Sequence, residues 1–93
     1  MARLLTQSEI DSTLATLEGW TQEGDSIARS FKLPSFPAAL VFVDAVGHLA
    51  EQADHHPDIV IKYRDVQLTL STHSAGGLTR KDFELAARID GIA

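Results

Sequence analysis

Four histidines, at positions 48, 55, 56 and 73, are the residues of this sequence best suited to chemistry. Imidazole exchanges protons near neutral pH without a large environmental shift, so grouped histidines point first to acid–base catalysis. Two are adjacent, and His55-His56 is followed at once by Pro57. Asp44, His48, Glu51 and His55 fall at helical spacing, which places Glu51 to hydrogen-bond His55 and fix its tautomer. Downstream, His73 precedes Gly76-Gly77, where backbone amides have room to approach a ligand, and then Asp82. Cysteine is absent, which excludes disulfides, thiolate metal sites, iron–sulfur clusters and a cysteine nucleophile. No serine stands in a nucleophile-elbow motif, and no glycine-rich phosphate loop occurs. A zinc site drawn from His55, His73 and Glu51 is the weaker option, because adjacent histidines seldom turn both rings toward one ion. Metal-free proton transfer is the favoured chemistry. Each residue also has a structural reading: His48 as a half-exposed helix residue, Glu51 as a solvated carboxylate, His55-His56-Pro57 as a helix end, Asp82 as a capping acid.

A small scaffold must position these groups. The 93 residues make one domain, 1–93, with no repeat, linker or low-complexity stretch. Thr6 and Glu9 form a capping box that opens a first helix, stapled by Leu5 and Ile10 and stopped near Gly19. Strands follow over 20–22 and 27–33, around a turn at Glu23-Gly24-Asp25. Ser35 caps a long apolar helix running to about Asp54, where Pro57 forbids continuation. Two further strands, 58–63 and 66–72, meet at Arg64-Asp65. With those two residues as the turn, Tyr63 faces Val66, Ile61 faces Leu68 and Ile59 faces Leu70, all on one side. The same register carried outward sets position 56 opposite 73, so His55, His56 and His73 are expected to cluster at the hairpin's open end. Thr79 caps a last helix with Asp82 at its third position, and Leu78 and Phe83 form the staple. The expected fold class is α+β: a four-stranded antiparallel sheet with three helices on one face, in the order α-β-β-α-β-β-α.

The series Glu51, three residues, His55-His56-Pro57, five residues, Tyr63, nine residues, His73, eight residues, Asp82 resembles the signature of the pterin-4a-carbinolamine dehydratases. The likeness extends to Leu70-Ser71-Thr72-His73 and Ala75-Gly76-Gly77-Leu78, and the element order matches that family's fold over nearly the whole chain. It implies dehydration of 4a-hydroxytetrahydropterin to quinonoid dihydropterin, with no cofactor, the pterin being the substrate. It implies further that His55, His56 and His73 line the pterin pocket. On this reading His55 and His73 exchange the protons and His56 orients the ring. Glu51 supports a histidine, Asp82 shapes the site, and Asp54 and Thr72 flank it. The animal-type pattern has a tryptophan where this chain has Ile59, a change that removes an aromatic wall but no proton-transfer group. The transcription-factor role of the family's animal members finds no support in these residues.

Charge and length narrow the partners. Eight Lys and Arg against 13 Asp and Glu give a formal net charge of -5, a poor match to nucleic acid or anionic membrane. The apolar run Ala38 to Val43 stops at Asp44, far short of the ~18 residues of a membrane span. The polar start lacks a signal-peptide core, so a cytoplasmic location is expected. So small a domain with an exposed sheet edge invites self-association, and the resemblance points likewise to a homodimer or homotetramer. The resemblance also links the chain functionally to an aromatic amino-acid hydroxylase. The rival reading is a non-catalytic assembly or binding module on the same fold.

Overall fold

The computed structural model describes residues 3–93. Along the chain lie α1 (Gln7–Leu14), β1 (Thr21–Glu23), β2 (Ser26–Lys32), α2 (Phe36–Ala53), β3 (Asp58–Lys62), β4 (Asp65–Leu70), a single 3-10 turn (His73–Ala75) and α3 (Arg80–Ile92). The strands form one antiparallel sheet in the order β1-β2-β4-β3. Alternation along the strands sorts their side chains. Ile27 and Phe31 of β2 and Val66, Leu68 and Leu70 of β4 are buried in one core with Ile10 of α1, Ala39, Phe42, Val46 and Ala50 of α2, and Phe83, Leu85, Ala86 and Ile89 of α3. The opposite face carries no helix and presents Ser30, Lys32, Gln67, Val60 and Lys62 to solvent. The α+β class and the α-β-β-α-β-β-α order are those expected from sequence.

Both capping boxes form. Thr6 and Glu9 satisfy each other's backbone N–H groups at α1, and Thr79 and Asp82 do so at α3. Ser35 caps α2 through the Ala38 N–H. The first helix is shorter than expected, ending at Leu14 rather than near Gly19. Thr13 and Thr16 turn their hydroxyls onto the carbonyls of Glu9 and Thr13, and the backbone tightens to bonds three residues apart at Thr16 and Leu17.

The second hairpin differs from the expected register. Its turn is Tyr63-Arg64, with Tyr63 at φ 54°, so Lys62 faces Asp65, Ile61 faces Val66 and Ile59 faces Leu68. The pairing has slipped by two residues, which preserves which face each side chain takes. Tyr63 leaves the strand, and Ile59 and Ile61 share the helix-side face yet remain exposed, because β3 is an edge strand. Continued outward, the position opposite His73 is 54, not 56.

Candidate active site

The site begins where α2 stops. Asp54 adopts left-handed geometry (φ 49°, ψ 44°), its N–H reaches the Glu51 carbonyl at 3.2 Å, and the His55 N–H reaches the Ala50 carbonyl at 3.1 Å. These paired bonds close the last turn and release the chain into an extended run toward Pro57 and β3. Adjacent residues of an extended chain point to opposite sides, so His55 and His56 part company. His55 turns inward beneath the sheet, and His56 turns to the helix-free face.

His55 is buried, and its Nε2 lies 2.6 Å from Asp82 Oδ1. Asp82 is fully buried and accepts, at Oδ2, the Thr72 hydroxyl at 2.8 Å and the Thr79 backbone N–H at 2.9 Å. Thr72 Oγ1 and Thr79 Oγ1 are 2.8 Å apart. Since Thr72 has given its single hydrogen to Asp82, the Thr79 hydroxyl is the donor in that pair. No described buried side-chain polar atom is left without a partner. Thr72 also anchors the loop that bears His73. Its carbonyl accepts the N–H groups of Ala75, Gly76 and Gly77 at 3.0, 3.1 and 3.3 Å, and its own N–H reaches the Gly77 carbonyl at 3.0 Å. Gly76 closes this loop at φ 79°, a conformation a side chain would resist.

On the helix-free face His56 and His73 line one cleft of about 370 Å³, with Asp25, Asp58, Ser71 and Thr69. That volume falls within the range of small-molecule pockets. His56 Nε2 lies 2.5 Å from Glu51 Oε1, so a carboxylate on the last turn of α2 orients the ring. The Ser71 hydroxyl donates to the Asp25 carbonyl at 2.8 Å and ties the floor to the first hairpin. A larger groove of about 660 Å³ runs between α1 and α3, but no histidine lines it.

The expected trio is therefore divided. His56 and His73 meet in the cleft, whereas His55 belongs to the buried Asp82–Thr72–Thr79 network behind it. Glu51 holds His56 instead of His55, because the left-handed Asp54 takes His55 off the helical track. Asp54 itself caps α2 and does not line the cleft. His48 pairs with Asp44 at 3.6 Å on the exposed side of α2, away from the cleft. Among the described residues, no group of three or more His, Asp or Glu side chains is placed to hold a metal ion. Asp25, Asp58 and Thr79 were not singled out as site residues from the sequence. Strand parity, which puts Asp58, Thr69 and His56 on one face, is the signal that would have found Asp58.

The family described as Pterin 4 alpha carbinolamine dehydratase matches residues 3–92. A relative from Roseiflexus castenholzii, provisionally named a pterin-4-alpha-carbinolamine dehydratase, is 59% identical over 92 residues, covering 99% of each chain. One of the same provisional name from Nocardia farcinica is 52% identical over 90 residues, covering 97% of this chain and 95% of its own. Among solved structures, a transcriptional coactivator/pterin dehydratase from Brucella melitensis superposes with a TM-score of 0.94 at 38% identity, covering 98% of this chain and 99% of that one. A pterin dehydratase-like protein identified as a RuBisCO assembly factor in the alpha-carboxysome has a TM-score of 0.70 at 26% identity, over 82% and 90% of the two chains. The chain belongs to the pterin-4a-carbinolamine dehydratase family.

Proposed function

We propose that this member of the family dehydrates 4a-hydroxytetrahydropterin, with 4a-hydroxytetrahydrobiopterin as the reference substrate, to quinonoid dihydropterin and water. The observation that carries the reading is the cleft in which His56, oriented by Glu51, and His73 stand together. In the reaction the N5 lone pair forms the N5=C4a double bond as the C4a–O bond breaks. One imidazolium gives its proton to the departing hydroxyl, which leaves as water, and a neutral imidazole or solvent takes the proton released from N5. One proton is supplied and one released, so the reaction consumes none, and proton exchange with solvent returns each imidazole to its starting state. The geometry favours His56 and His73 as the exchanging pair. His55, bonded to Asp82 and outside the cleft, is a positioning residue, and Asp82, Thr72 and Thr79 hold the loop that presents His73.

No cofactor enters this scheme, since the pterin is consumed and the protons come from the chain. The reading includes a cytoplasmic homodimer or homotetramer that returns pterin to an aromatic amino-acid hydroxylase. The second reading, a non-catalytic assembly module, is favoured by the likeness to the carboxysomal assembly factor. A coupled assay separates them. A hydroxylase generates the carbinolamine, and absorbance follows its loss with wild type, His56→Ala and His73→Ala. Acceleration by wild type, lost in folded variants, is the expected result. A folded wild type that gives only the spontaneous rate overturns the dehydratase reading in favour of the module.

A further inference from the structure

The cleft holds two carboxylates that the proton transfer does not use, Asp25 and Asp58, and among the described residues no lysine or arginine lines it. The two acids stand on different sides of it. Asp58 lies on β3, two residues beyond His56 and on the same face, roughly 7 Å along the chain. Asp25 belongs to the turn between β1 and β2, where Glu23 pairs with Ser26 and Gly24 takes φ 60°. Carrying the pairings Ile27–Leu70 and Asp58–Thr69 outward sets Ser26 and His56 on either side of Ser71. Two interstrand spacings, about 10 Å, therefore separate the Asp25 turn from His56.

The turn is held in place from two sides. The Ser71 hydroxyl donates to the Asp25 carbonyl at 2.8 Å, and the Ser26 hydroxyl donates to the Glu23 carbonyl at 2.9 Å. The Asp25 carboxylate rests beside the loop that carries His73, since a Cβ placed on Gly77 would stand 3.9 Å from Asp25 Oδ1. Among the described residues that carboxylate accepts no hydrogen bond and makes no ion pair. A positioned carboxylate with both oxygens open is an acceptor for a pair of ligand N–H groups.

The pterin of the dehydratase reading, on which the ligand's identity rests, carries such a pair. Its 2-amino group and N3–H form a two-donor edge at C2, and C2 stands opposite C4a across the pyrimidine ring. With C4a and its hydroxyl at His56 and His73, that edge points away from the imidazoles. Asp58 stands on the imidazole side, whereas Asp25 stands across the cleft from His56. We infer that Asp25 receives the amino edge of the pterin, its two oxygens accepting from N2–H and N3–H, and so makes the cleft selective for 2-amino over 2-oxo ring systems. A 2-oxo ring turns a carbonyl oxygen toward the carboxylate, so acceptor meets acceptor, a mismatch that discriminates more strongly than a lost apolar contact. The edge is remote from the C4a–O bond and is held alike in ground and transition states, so its contribution falls on KM rather than kcat.

Equilibrium binding of 7,8-dihydropterin and of its 2-oxo counterpart, 7,8-dihydrolumazine, tests the contact. Ligand fluorescence is followed with wild type, Asp25→Asn and Asp58→Asn, and circular dichroism confirms the fold of each. Wild type should bind the amino ligand about tenfold or more tightly than the oxo ligand. Asp25→Asn should bind the amino ligand about tenfold more weakly and keep a preference of about threefold or less. Asp58→Asn should keep the wild-type preference. In the coupled assay Asp25→Asn should raise KM about tenfold with kcat within about twofold. Equal affinity of wild type for both ligands, an Asp25→Asn that keeps the preference, or an Asp58→Asn that loses it overturns the assignment. So does a kcat that falls while KM holds, or a wild type that binds neither ligand. A wild type that binds and discriminates without turnover defeats the dehydratase reading and leaves the role of Asp25 standing; turnover without discrimination does the reverse.

Discussion

Asp82 is the residue whose replacement tests the buried half of the site most directly. Its Oδ2 takes two donors, the Thr79 N–H and the Thr72 hydroxyl, and its Oδ1 takes one, His55 Nε2. Asp82→Ala deletes all three acceptor contacts. The Thr72 hydroxyl can fall back on Thr79, because either oxygen of that pair can donate. The Thr79 N–H and the His55 ring are left without partners, at about 1–3 kcal/mol for each buried group. The sum, ~2–6 kcal/mol, brackets the ~3–5 kcal/mol cost of breaking a buried ion pair by removing one member. For 93 residues total stability is roughly 5–14 kcal/mol, so the loss is a large share of it.

Asp82→Asn separates charge from shape. A carbonyl oxygen placed at Oδ2 keeps both of its donors. The amide nitrogen then faces His55, whose ring can answer by carrying its hydrogen on Nδ1 and accepting at Nε2. Only the charge-assisted part is lost, so the expected cost is about 1–2 kcal/mol. Urea denaturation followed by circular dichroism, at one fixed chain concentration, should rank wild type, Asn and Ala in that order with an unchanged slope. In a double-mutant cycle Asp82 and His55 should couple by about 1–3 kcal/mol. Ala and Asn variants equal within about 0.5 kcal/mol, or a coupling near zero, would refute the role of Asp82 as the hub of this network.

The two faces of the site should respond in opposite ways. His56→Ala and His73→Ala, both at exposed positions, should change stability by ~0.5 kcal/mol or less and lower kcat/KM about 100-fold or more, measured by denaturation and the coupled assay. Buried His55→Ala should cost ~2–3 kcal/mol of stability and affect turnover through KM more than kcat. Glu51→Gln keeps an acceptor for His56 but removes its charge, so kcat should fall about tenfold while stability stays within ~0.5 kcal/mol. At the start of α1, the hydrogen bonds from Arg3 and then from the Thr6 N–H hold the Glu9 carboxyl down at about 2, against an ordinary 4.5. A depressed carboxylate lends stability that is fully present above its unfolded value and fades as pH falls from 4.5 toward 2. Carbon-detected NMR titration should find its midpoint near 2, moving upward in Arg3→Ala.

Local signals in the sequence survived folding well. The capping boxes at Thr6–Glu9 and Thr79–Asp82, the Ser35 cap and the stop ahead of Pro57 all depend on spacings of a few residues. The α+β order and the side of the sheet that each strand residue faces were equally legible, because a period of two is insensitive to a two-residue slip. The slip itself was not legible. Arg64-Asp65 and Tyr63-Arg64 are both acceptable two-residue loops by pattern, and the choice falls on Tyr63, which takes positive φ without being glycine or asparagine. That choice set position 54 rather than 56 directly opposite 73, although His56 and His73 still line one cleft. Nor could spacing show that the capping carboxylate of Asp82 also serves His55, a contact between residues 27 apart in sequence. Glu51 was read on the helical track to His55, whereas the left-handed Asp54 breaks that track and gives Glu51 to the next histidine.

Adjacent histidines in an extended segment cannot do the same work, and that constraint organises the whole site. His55 spends its hydrogen bond inside the protein, on a carboxylate that also caps α3 and restrains the loop around Thr72. His56 stands outside, backed by an exposed glutamate, over a cleft whose other imidazole is carried by that same restrained loop. The buried contacts therefore lie behind the sheet, and on the proposed dehydratase reading proton transfer falls to the exposed side chains in front of it. Replacing His56 or His73 leaves the buried network whole, so a chain of this architecture can lose its chemistry without losing its fold. Replacing Asp82 works the other way, loosening the scaffold first and the His73 loop as a consequence. The occurrence of an assembly factor among the structural neighbours is consistent with a scaffold whose fold does not depend on its reactive residues. The presence of both cleft histidines and their glutamate in this chain is what supports the proposed turnover over assembly.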